Sequence, residues 1–227
     1  MVKKMITDIV PLTLLLLVGV VALVLAIFLG LAYLKDKGLH HLFWAISFLV
    51  LFVSGVLIIL NGFAVLTEPL VPVVAALIPA CLAIGLLYVL FEGKPWGLYY
   101  TIFALVMIVL LAVIRLDIIT GIGGFSSGVL MALHIPSGLI ITFLPLYAAF
   151  VSKDLETSGA LFGIGGLLMS VGGVLLAFVA IGSPVLSQGE IFDILPLLLV
   201  IVGLFLFFGI IIPKKWKIEI PFISGFF

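Results

Sequence analysis

Charge is the scarcest thing in this chain. Charged side chains make up 9% of it, ten basic and ten acidic, against 66% hydrophobic. A soluble domain carries about 25% charged and roughly 45–50% apolar residues, so an ordinary soluble fold is excluded. The formal net charge is zero. That removes the electrostatic basis for binding nucleic acid, and no nucleic-acid partner is expected. Cys81 is the single cysteine, which excludes an internal disulfide or a dithiol redox pair. Set in an apolar run, it reads as a small packing residue. Catalytic signatures are missing as well: there is no His-Glu-x-x-His, no Gly-x-Ser-x-Gly and no acidic pair at helical spacing inside an apolar run. No cofactor, metal or catalytic residue is expected, and a lipid-active enzyme is the least supported class.

What the chain has is seven long stretches without a charged side chain: 9–34, 42–67, 69–91, 95–114, 118–151, 157–189 and 194–213. A helix needs about 20 apolar residues to cross the hydrocarbon of a bilayer. Lipid offers backbone amides no partners, so such runs are helices or closed barrels, and these do not alternate as barrel strands do. The expectation is an all-α integral membrane protein, a bundle of seven transmembrane helices near 9–34, 42–62, 70–91, 97–115, 129–151, 158–181 and 192–212. The opening Met-Val-Lys-Lys resembles a signal peptide, but the apolar run that follows exceeds the roughly 7–15 residues of a signal core, so it reads as a retained first helix. Residues 1–213 form one seven-helix domain. Residues 214–227 mix lysines with Trp216, Phe222, Phe226 and Phe227, and read as an interfacial tail on the cytoplasmic side.

Seven crossings put the ends of the chain on opposite faces. Lys35, Lys37, Lys94, Lys153, Lys214, Lys215 and Lys217 fall on one face; Lys3, Lys4 and Arg115 fall on the other. The excess of basic residues marks the first face as cytoplasmic, giving N-terminus out and C-terminus in, as a multi-pass protein of the cell membrane. Lys37, Lys94, Lys153 and Lys214 are spaced by 57, 59 and 61 residues. A repeated two-helix hairpin would produce that spacing, and so would helices of similar length. Seven short-looped helices are also the topology of the microbial rhodopsins, but those need a lysine within the last helix, and the run 194–213 has none.

Helix 6 carries Gly159, Gly163, Gly166, Ser170, Gly173, Ala177 and Ala180 in steps of four and three, an unbroken small-residue stripe. Small residues let helices approach in lipid, so this helix is expected at the centre of the bundle or at an oligomer seam, and Gly166→Leu is expected to disrupt folding. Pro79, Pro136 and Pro145 lie within helices 3 and 5, each freeing a backbone carbonyl. Trp44, Trp96, Tyr99 and Tyr100 read as headgroup anchors at one face. The segment 118–128, with Gly121, Gly123, Gly124 and Gly128, reads as a flexible outer loop or a short re-entrant element.

The polar inventory for transport is thin. Ser47, Ser54 and Asn61 recur every seven residues along helix 2, and Glu68 continues the step. They are candidates for a hydrated path or, equally, for interhelical hydrogen bonds. Asp117 and Asp193, with Asp8, Glu190 and an Arg115–Asp117 pair, would surround an outer vestibule that concentrates cations. His134 is the ionisable side chain placed well within a span, and such groups are functional candidates by default. It can relay protons or simply bond a carbonyl, such as one freed by Pro136. His40 and His41 open helix 2 at the other face, where pH sensing or acidic lipid would suit them. The leading reading is a channel or transporter for a cation, proton or small solute. The alternative is a non-transporting membrane subunit or sensor that scaffolds a complex or binds lipid. Membrane lipids are the expected partners, with a homo-oligomer or a partner membrane subunit beside them.

Overall fold

The computed structural model describes residues 9–121, 123–180 and 188–216. Seven helices in it are long and apolar enough to cross a membrane: α1 (Ile9–Asp36), α2 (Leu39–Asn61), α3 (Val71–Leu90), α4 (Trp96–Arg115), α5 (Ser126–Phe150), α6 (Ala160–Ala180) and α7 (Gln188–Ile211). No strand occurs among the described residues. The expected all-α seven-helix membrane architecture is therefore what the chain adopts. The helix ends differ by a few residues from those expected. Among its described residues, the Gly-rich segment forms a turn and one 3-10 turn, Gly123–Phe125, and α5 starts directly behind it.

Helices stop on one face through left-handed residues. Lys37 (φ 58°) follows α1, Gly93 (φ 76°) follows α3 and Lys153 (φ 58°) follows α5. Glycine adopts this region freely, whereas a lysine there is uncommon. The three stops lie close to the periodic lysines of the sequence. The hairpins they begin are not packed alike, because α2 and α6 turn back into the bundle while α4 is left at its edge.

The helices close a ring. Going round it, α1 packs on α2, α2 on α3, α3 on α5, α5 on α6, α6 on α7, and α7 returns to α1. Helix α4 lies outside, in the groove between α3 and α5. Its sequence explains the placement. Gly97, Ala104 and Leu111 are buried at seven-residue steps, with Ile114 one turn further on, so α4 has one narrow seam to offer. Leu98, Ile102, Leu105, Val106 and Val109 face outward.

Helix α3 is the hub that helix 6 was expected to be. Twelve of its twenty residues are buried, in an almost continuous run from Pro79 to Leu87. Ala76, Ala80, Ala83 and Gly85 keep it slim enough for α2, α4 and α5 to approach together. Gly85 is the tightest point: a methyl there would collide with the indole of Trp44. That indole donates its Nε1–H to the Leu82 carbonyl at 3.1 Å. Trp44 is fully buried, so it is a core residue and not the headgroup anchor its position suggested. Trp96 and Tyr99 do stand exposed at that end.

The small residues of α6 serve two interfaces. A Cβ on Gly166 would stand 2.6 Å from the Ile141 carbonyl, and one on Gly163 2.7 Å from the Thr142 carbonyl. Ile141 is four residues before Pro145, whose missing N–H frees that carbonyl, so Gly166 packs where α5 has lost a backbone hydrogen bond. Ser170 sits against Gly138 and turns its hydroxyl to the Gly166 carbonyl. Gly165 and Gly172, off the stripe, instead meet Leu206 and Leu198 of α7. Gly159 packs under Leu155, whereas Gly173 faces open space. The side chain of Ala177 lies outside the described residues. The stripe thus joins α6 to α5 over part of its length, and α6 is a member of the ring wall, not its axis.

Candidate functional site

The sequence-derived path does not assemble. Ser47 is buried and donates its hydroxyl to the Ile78 carbonyl of α3 at 3.0 Å, so it joins two helices. Asn61 donates back to the Leu57 carbonyl of its own helix at 3.1 Å. Ser54 borders a recess of about 150 Å³ shared with Leu57, Ile58, Val65, Leu70 and Val71. That is about half the roughly 300 Å³ at which small-molecule sites begin, and Ser54 supplies the one side-chain hydroxyl among its lining residues. Glu68 is exposed at the end of the 3-10 turn Phe63–Thr67.

His134 is half-buried in α5 and donates its Nδ1–H to the Leu130 carbonyl at 3.1 Å. Its partner is thus the ordinary carbonyl one turn back, and not Ala132, whose carbonyl Pro136 frees. The neighbouring polar link runs elsewhere. Tyr100 of α4 donates to the Ser137 hydroxyl at 2.8 Å, and Ser137 donates to the Leu133 carbonyl at 2.8 Å. Asp117 and Asp193 are exposed. The Arg115–Asp117 pair does not form: the Arg115 Nε is buried without a hydrogen-bond partner, and Asp117 lies past the helix end with φ 52°. Asp8 lies outside the described residues. Among the described residues, no group of three His, Cys, Asp or Glu side chains is placed to hold a metal ion.

The polar cluster the fold does build is at the other face. His41, in the first turn of α2, has no exposed surface. Its Nδ1 lies 3.1 Å from an Asp36 carboxylate oxygen at the end of α1, and its Nε2 2.9 Å from the Trp216 carbonyl past α7. His40 reaches the same carbonyl at 3.4 Å, and the two imidazole rings lie 3.9 Å apart. The Asp36 oxygen also accepts the Gly38 N–H at 2.8 Å, which fixes the α1–α2 turn.

Trp216 closes the cluster. It ends the 3-10 turn Lys214–Trp216, is fully buried, and donates its indole N–H to the Gly209 carbonyl at 2.8 Å. Its ring meets Trp44 edge-on at 5.3 Å, and Trp44 in turn lies 5.5 Å from Phe162. These three aromatics, with Leu29, Phe48, Leu86 and Ile210, fill the ring at this end. The expected interfacial tail therefore begins differently: its first aromatic is inside the bundle. Residues 217–227 lie outside the described residues. Just before it, the Lys214 N–H donates to Glu156 of the α5–α6 connection at 3.2 Å, so this turn is tied to α2, to α7 and to that connection.

The histidine pair and Trp216 are both visible in the sequence, but 175 residues separate His41 from Trp216. The available signal was Pro213, which ends α7 and turns the chain back beneath the helices. Comparison with protein-family models, with curated proteins and with solved structures finds no match.

Proposed function

We propose that this protein is a non-transporting multi-pass membrane subunit, a compact scaffold that presents its helical wall to lipid and to partner helices. The observation that carries this reading is the filled ring. A conduit needs a continuous polar lining, and here the axis at the C-terminal end is occupied by Trp44, Phe162 and Trp216. Of the α2 side chains read as a path, Ser47 and Asn61 make hydrogen bonds between or within helices, and Ser54 stands beside apolar neighbours. Hydroxyl bonds of this kind contribute roughly 0.6 kcal/mol each in membranes, which suits a rigid wall. The lysine count supports the C-terminal face as the cytoplasmic one.

The test is flux. The purified chain, reconstituted into vesicles, is expected to leave proton and potassium leak at the level of protein-free vesicles, with an ionophore as positive control. Flux that scales with the amount of protein would restore the transport reading and overturn this one. A photo-crosslinker at Val109, on the outward face of α4, is expected to yield one discrete protein adduct in native membranes; adducts to lipid alone would remove the partner-binding part.

A further inference from the structure

We propose that the C-terminal end of α4 is a binding site for a zwitterionic phospholipid with a primary amine: Arg115 takes the phosphate, and Asp117 the ammonium, of a phosphatidylethanolamine headgroup. The inference needs only that α4 crosses the bilayer, and it is independent of whether the bundle conducts.

Depth places the site. Helix α4 has 20 residues, Trp96–Arg115, and rises about 30 Å, the thickness of the hydrocarbon. Trp96 and Tyr99 stand exposed in its first turn, where aromatic side chains mark the headgroup level. Arg115, in the last turn, therefore falls at the headgroup level of the opposite leaflet. Helix α4 is also the helix left at the edge of the ring. Leu105, Val106 and Val109 thus offer acyl chains an open apolar wall beneath that level.

Arg115 arrives there without an acceptor. It stands four residues past Leu111 and so continues the buried seam of Gly97, Ala104 and Leu111 to its end. Packing covers its Nε completely, and that N–H has no hydrogen-bond partner. The two Nη groups are neither sealed nor hydrogen-bonded, and among the described residues no carboxylate pairs with the guanidinium. An arginine keeps its charge at any physiological pH, and a partly buried charge left unpaired is costly. Among the described residues every lysine lies at the opposite face, so Arg115 is the one cation here. The anion that a bilayer supplies at this depth is a lipid phosphate, which the planar Nη pair fits.

The nearest acid is held apart by the way α4 ends. Asp117 takes φ 52°, in the left-handed region where glycine is usual. Its N–H meets the Ile114 carbonyl at 3.2 Å, and the Ile118 N–H meets the Val113 carbonyl at 3.1 Å. Those two bonds are the Schellman pattern of a helix stop. They leave Asp117 beyond the helix, exposed, with no hydrogen bond or ion pair to any described residue. A carboxylate at a helix C-terminus adds to partial charge that is already negative, so a cation beside it is favourable. Outward along the bilayer normal the chain therefore presents a cation and then an anion. A phosphatidylethanolamine headgroup presents the opposite charges in the same order, the phosphate nearer the acyl chains and the ammonium, with its three N–H donors, further out. A lipid of net negative charge would meet Asp117 with nothing to offer it, and Glu68 and Asp193, exposed at the same face, add to that bias.

Native mass spectrometry of the purified, delipidated full chain in detergent reads the site. Dioleoyl phosphatidylethanolamine is expected to give an adduct several-fold tighter than dioleoylglycerol, which carries neither charge. Arg115→Gln is expected to weaken that adduct several-fold. Asp117→Gly keeps the left-handed turn and removes the carboxylate. It is expected to unfold no earlier on heating, yet to lose several-fold of the preference for phosphatidylethanolamine over dioleoyl phosphatidylglycerol. Phosphatidylglycerol also meets the lysine-rich face; that contribution is common to the parent and both variants, so the readout is the difference between chains. If Arg115→Gln fails to fold, as judged by circular dichroism, Asp117→Gly decides alone. The proposal is overturned if the parent binds dioleoylglycerol as tightly as phosphatidylethanolamine, if folded Arg115→Gln keeps the adduct, or if Asp117→Gly keeps the preference.

Discussion

At the scale of single residues, glycines of one helix carry opposite expectations. Gly209 and Gly203 are both buried in α7, six residues apart. A methyl at Gly209 would collide with the backbone of Phe162, whereas one at Gly203 meets nothing within 4 Å. Overpacking costs roughly 1–3 kcal/mol, and backbone that cannot move aside sits at the upper end of that range. Alanine in place of glycine improves helix propensity by up to about 1 kcal/mol. Gly209→Ala is thus expected to lower the thermal unfolding midpoint in detergent and Gly203→Ala to hold or raise it. Equal effects would mean that α6 and α7 do not pack at this crossing. Composition alone does not separate the two, because whether a glycine is needed depends on what faces it. The same limit applied to Trp44. An aromatic near a helix end reads as an anchor, and only the glycine at position 85, 41 residues away, makes a buried slot for its indole.

At the scale of elements, the helices themselves were legible almost completely. Lipid removes the choice between helix and coil for any apolar run of sufficient length, so the seven runs had one outcome. Their ends were less legible, since α5 begins at Ser126, three residues before the expected start, behind a glycine-rich 3-10 turn. The role of each helix was not legible from its own sequence. The stripe on α6 promised a central helix, but half of its glycines are matched to α5 and their off-stripe neighbours to α7. Helix α4 has a buried residue recurring every seven positions from Gly97 to Leu111, a seam narrow enough for a groove. It adds one polar tie to α5, from Tyr100 to Ser137. A double-mutant cycle of Tyr100→Phe and Ser137→Ala is expected to give a coupling of about 0.6 kcal/mol, the average for such bonds in membranes. A coupling near zero would mean that α4 is held by its apolar seam alone.

At the scale of the whole molecule, seven crossings require the two ends of the chain to emerge on opposite sides. Tags placed at each terminus are expected to differ in protease protection in sealed vesicles, with the C-terminal tag protected in right-side-out preparations; equal accessibility would contradict an odd number of spans. Closure of the ring was not legible, because it rests on contact between α1 and α7, which no local pattern encodes. The surroundings of the candidate path were not legible for a related reason: a seven-residue repeat of Ser47, Ser54 and Asn61 marks a helix face, but the neighbour decides whether that face meets water or a carbonyl. Closure also sets an order of assembly. Helix α1 precedes α7 in the chain and its surroundings are complete only once α7 is in place, and the carbonyl that meets His41 belongs to a residue 175 positions later. Until Trp216 has been made, that imidazole lacks its carbonyl partner, so its capture distinguishes a closed bundle from an open one.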